Sequence, residues 1–83
     1  MARKIDADRI AAAFSARYQI AKEFDGVTAL EFLRDEQEAA GGLVYELPAN
    51  PAYPKTWRNE TTVELSEKEL TIVAAEMERL TNV

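Results

Sequence analysis

LSEKELTIVAAEMERL, residues Leu65–Leu80, is the stretch whose reading decides the fold. Ser66 and Glu69 have the spacing of a capping box, in which each side chain satisfies a backbone N–H beside the other. Leu65 before the cap and Leu70 inside the first turn can close a hydrophobic staple. Leu70, Val73, Met77 and Leu80 then follow steps of three, four and three, which places them on one helical stripe with Ala74 beside them. A helix with one narrow apolar stripe must lay that stripe on something, so the rest of the chain has to supply a surface to receive it.

The residues before it supply two more helices. Asp6 is placed to cap the first, with Asp8 in its first turn, where the macrodipole favours a negative charge, and Ile5 stapled to Ile10. Ile10, Phe14, Ala21 and Phe24 are expected on one face, flanked by Ala13, Ile20 and Tyr18. Arg17 falls within that face. It can lay its stem over apolar surface with its head in water, pair internally with an acid such as Glu46, or anchor a partner's carboxylate. Asp25-Gly26 ends the helix. Thr28 and Glu31 repeat the capping box and Val27 with Phe32 the staple, so a second helix follows at once. Its main stripe is Leu30, Leu33, Gln37 and Ala40, and Gly41-Gly42 stops it.

Leu43–Leu47 and Thr61–Leu65 both alternate in polarity, as half-buried strands do, and the simplest pairing is an antiparallel hairpin. Leu43, Tyr45 and Leu47 share one face, and Thr61, Val63 and Leu65 share another. A lone hairpin is marginal and must lay its apolar face on the helices. The expected architecture is a single α+β domain over residues 1–83, in the order helix, helix, strand, strand, helix. Residues 1–4 form a flexible start and residues 48–60 a long loop between the strands.

Composition narrows the chemistry. The 83 residues contain neither cysteine nor histidine, which removes disulfides, thiolate nucleophiles, imidazole bases and nearly every zinc, haem or iron–sulfur arrangement. The three glycines lack the spacing of a phosphate-cradling loop. The carboxylates Asp35, Glu36, Glu38, Glu67 and Glu78 fall on expected wet faces rather than in a cleft. The expectation is a protein with no catalytic residues, cofactor or metal. No apolar run approaches the roughly 20 residues of a membrane span, and the amino terminus lacks the apolar stretch of a signal peptide, so a cytoplasmic protein is expected.

Charge and aromatics point to a binding role. Net charge is −5. Residues 1–24 carry a net +2, whereas residues 25–47 carry −5. That acidic middle, with Asp35, Glu36 and Glu38 on the second helix, suits a basic partner surface and opposes broad contact with nucleic-acid phosphates. Pro48, Pro51 and Pro54 recur with the period of a polyproline II helix and carry Tyr53, Lys55, Trp57 and Arg58 between them. Tyr, Trp and Arg are enriched among interface hot spots, and proline lowers the entropy lost when a loop is fixed; the other reading is that Trp57 folds back as the lid of a small core and the prolines only route the chain. Ile72 and Ala75 lie off the main stripe of the last helix and offer a second apolar patch.

The functional expectation is therefore a small acidic adaptor or inhibitor that occupies a surface of a larger protein, with Tyr53, Lys55, Trp57, Arg58, Asp35, Glu36 and Glu38 as partner-binding residues. Phage- and mobile-element-encoded factors are a class analogy for such a protein. One alternative comes from element order. Two helices, a hairpin and a further helix resemble winged-helix domains, with the Pro48–Glu60 loop as the wing, and the resemblance implies a DNA-binding regulator. The chain departs from that family where Gly41-Gly42 leads straight into a strand without a third helix. A second alternative is a subunit of a symmetric assembly, with Ile72 and the alanine faces used for self-contact.

Overall fold

A computed structural model of the chain describes residues 5–47, 51–56 and 59–82. The order is α1 (Ala7–Asp25), α2 (Ala29–Ala40), β1 (Leu43–Glu46), β2 (Glu60–Val63) and α3 (Glu67–Thr81), an α+β domain of three helices and one two-stranded antiparallel ribbon. Local sequence accounts for the helix boundaries. The Ser66 hydroxyl accepts from Glu69 N at 3.2 Å while Ser66 N donates to the Glu69 carboxylate at 2.9 Å. Thr28 and Glu31 make the same reciprocal pair at the start of α2. The α1 cap is thinner, a single long bond from Arg9 N to the Asp6 carboxylate at 3.4 Å. Gly41 closes α2 in the left-handed region at φ 71°, which a side chain would oppose. Gly42 follows at φ 152°, and a Cβ there would stand 2.7 Å from the Thr62 methyl, so only glycine lets the strands start this close to the helix end.

The ribbon pairs Leu43 with Val63, Val44 with Thr62, Tyr45 with Thr61 and Glu46 with Glu60. Leu43 is buried, Tyr45, Thr61 and Val63 are half-buried, and Val44 and Glu46 are exposed, so the expected alternation holds within the ladder, whereas Leu47, expected on the inner face, lies past the end of β1 and is exposed. The ladder is shorter at its far end than the alternation implied. Leu65 leaves it because the Gln37 side chain takes both of its backbone groups: Leu65 N donates to Gln37 Oε1 at 2.7 Å and Gln37 Nε2 donates to Leu65 O at 2.9 Å. A glutamine on the apolar stripe of α2 is thereby satisfied, and it ties α2 to the turn before α3.

The core consists of Ile10, Ala11, Phe14 and Tyr18 from α1, Ala29, Phe32 and Leu33 from α2, Leu43 and Leu65 from the ribbon and its exit, and Leu70, Val73, Ala74 and Met77 from α3. The α3 stripe sits as its spacing requires, with Leu80 packed at its edge. Two expectations need correction. Phe32 is more than a cap staple, since its ring packs 5.8 Å from that of Tyr18 inside the core. The larger correction concerns α1. Its buried stripe runs through Ile10, Phe14 and Tyr18, while Phe24 is 80% exposed and Ile20 58% exposed. At about 100° per residue, Phe24 lies about 80° around the helix from Phe14 and turns away from α3.

Candidate functional site

The expected binding residues divide between two elements. In the connection between β1 and β2, residues 51–56 are exposed throughout, Tyr53 at 47%, and Lys55 beside it. Trp57 and Arg58, the other two residues expected there, lie outside the described residues. On α2, Asp35 and Glu38 are exposed and Glu36 is half-buried. Glu36 is held within the protein: Arg17 reaches it at 3.4 Å, with the guanidinium 4.6 Å from the centre of the buried Phe14 ring. Arg17 therefore pairs with Glu36 rather than with Glu46, and its stem and head cover Phe14 as an amphipathic side chain does.

Glu38 belongs to a cleft that sequence reading missed. A shallow space beside the C-terminal half of α2 and the start of α3 is lined by Arg34, Gln37, Glu38, Gly41, Glu64, Glu67 and Leu70. Glu64 comes from the end of the ribbon and Glu67 from the first turn of α3. Gln37 fixes the floor through its two bonds to Leu65. Arg34 spans the cleft to hydrogen-bond Glu67, and this donor holds the Glu67 carboxyl below the usual carboxylate range. Among the described residues of the lining, Arg34 is the one cation, beside the carboxylates of Glu38, Glu64 and Glu67 and the apolar side chain of Leu70.

A second polar cluster joins α1 to α3. The buried Tyr18 hydroxyl donates a short hydrogen bond to the Glu78 carboxylate, and Lys22 stands 3.8 Å from the other Glu78 oxygen and 5.9 Å from the Tyr18 ring centre. Burial, followed by the bond to Glu78 and the charge of Glu78, pushes the Tyr18 phenol up to about 12. A phenol that grips its proton this tightly is poorly matched to acid–base work near neutral pH. Its chemistry here is that of a donor locking two helices together.

Among the described residues no cluster of three or more side chains has the makings of a metal site, and no helix is long and apolar enough to cross a membrane. Compared with known protein families, curated proteins and solved structures, the chain matches none.

Proposed function

We propose that the protein is a small, non-enzymatic binding module, an adaptor or inhibitor, that seats a basic segment of a larger protein in the cleft between α2 and α3. The observation that carries this reading is the lining of the cleft, in which the described residues include three carboxylates, Glu38, Glu64 and Glu67, and one arginine, Arg34, together with Leu70 and Gln37. A lysine or arginine fits such a place, its aliphatic stem on Leu70 and its charged head between Glu38 and Glu64. The exposed Tyr53–Lys55 segment adds a second contact of amphipathic and cationic character.

The test is affinity capture from a lysate of the source host, followed by binding measurements with the recovered partner. Glu38→Lys with Glu64→Lys should weaken binding by at least about tenfold, or 1.4 kcal/mol, and wild-type binding should weaken with added salt. A partner held equally well by the double variant removes the cleft as the site. Recovery of no stable partner removes the reading itself. Salt-dependent binding of duplex DNA at sub-micromolar affinity would replace it with the regulator that the element order resembles.

A further inference from the structure

Beyond that reading, we infer that α1 carries a self-complementary face on which two copies of the chain pair antiparallel. Ala13, Ala16, Ile20 and Phe24 follow steps of three, four and four, so they form one stripe, and all four are exposed. The stripe is graded. Its C-terminal half bears the two bulky side chains, and its N-terminal half bears alanine. Beside the alanines lies a shallow groove lined by Arg9, Ala12, Ala13, Val44 and Glu46, where the outer face of β1 meets α1. Phe24 and this groove are separated by about 16 Å along the helix, at 1.5 Å per residue from Ala13.

That arrangement decides the occupant. A two-fold axis across α1 near Tyr18 brings the bulky half of one copy onto the small half of the other, twice over, as an isologous contact requires. Phe24 then enters the groove over Ala12, Ala13 and Val44, and Ile20 lies on Ala16. An aromatic side chain buries about 150–250 Å², so two Phe24 and two Ile20 side chains with the surfaces that receive them reach on the order of 1,000 Å². That is the lower bound of a specific interface, and it implies a concentration-dependent dimer rather than an obligate one.

The experiment is sedimentation of the full chain from about 10 µM to about 1 mM, the range in which so small an interface associates. Mass should rise from 9.3 kDa toward twice that value. Phe24→Asp should weaken the dimer at least about tenfold while leaving the helical circular dichroism intact, because Phe24 touches little of its own core. A chain that stays at monomer mass throughout overturns the proposal. So does a dimer that ignores Phe24→Asp. Phe24→Asp does not touch the α2–α3 cleft, so failure here leaves the basic-segment reading standing, and the reverse holds for Glu38 and Glu64.

Discussion

α1 and α3 lie against each other over most of their length, yet they treat apolar surface in opposite ways. α3 buries its whole main stripe, Leu70, Val73, Ala74 and Met77, and leaves Ile72 and Ala75 exposed beside it. α1 has two stripes. Ile10, Phe14 and Tyr18 enter the core, while Ile20 and Phe24 face outward with Ala13 and Ala16. A single narrow stripe leaves a helix only one way to dock. A helix with aliphatic, aromatic and alanine residues spread around it can be rolled through a quarter turn at little cost to the pattern, and its neighbours choose the face. The face left over is then available to something outside the chain.

Three experiments break or sharpen this contrast. Truncating the α3 stripe should have the largest effect: Met77→Ala, at a fully buried position, should cost about 2–5 kcal/mol in denaturant unfolding. The matching truncation Phe24→Ala on α1 should stay within about 0.5 kcal/mol of wild type. Equal losses at the two positions would mean that Phe24 belongs to the core after all.

Next in size is the tie between the two helices. Folding raises the Tyr18 pKa from 10.0 to about 12, so the folded state holds this proton more tightly than the unfolded chain. The resulting stability is fully present below pH 10 and is lost as pH rises toward 12. A shift of that size corresponds to roughly 3 kcal/mol. Lysines and other tyrosines titrate in the same range, so the informative quantity is the difference between wild type and Tyr18→Phe. Wild type should lose markedly more stability than the variant between pH 9 and pH 12, and parallel curves would exclude the proton-linked tie.

The smallest effect concerns the caps. Ser66→Ala removes one half of a reciprocal pair at the start of α3 and should cost about 1 kcal/mol. Asp6→Ala removes one long cap bond and an exposed ion pair with Arg9, which is worth little in water, and should cost less. Thermal unfolding of the two variants ranks them directly, and the reverse order would show that α1 leans on its cap more than the geometry allows.

Much of the architecture was legible because it is encoded by neighbours in sequence. Ser66 with Glu69, Thr28 with Glu31, and the Gly41-Gly42 pair act within one turn, and the alternation of Leu43–Leu47 acts within one strand. The misreadings share one cause. Phe24 and Phe32 each have surroundings set by another element: α3 decides which side of α1 is buried, and Tyr18 draws Phe32 inward; Arg17 covers apolar surface and pairs internally as expected, with Glu36 in place of Glu46 as the acid. The candidate site divides the same way. Glu38 was legible as one of three acids on a helix, but its company, Glu64 and Glu67, arrives from the far side of the hairpin. Gln37 sits on an apolar stripe because it bonds both backbone groups of Leu65.

The sequence by itself determined where each helix begins and ends, that two strands pair between α2 and α3, that α3 carries a face it must bury, and that the middle of the chain is acidic. Those properties depend on the backbone bonding and charge of residues a few positions apart. Only the tertiary structure decided which face of α1 is covered, which carboxylates share a cleft, and where the bulky and small halves of one helix surface stand relative to a groove. Packing is a choice among surfaces of similar hydrophobicity, and that choice depends on the shapes of elements distant in the chain.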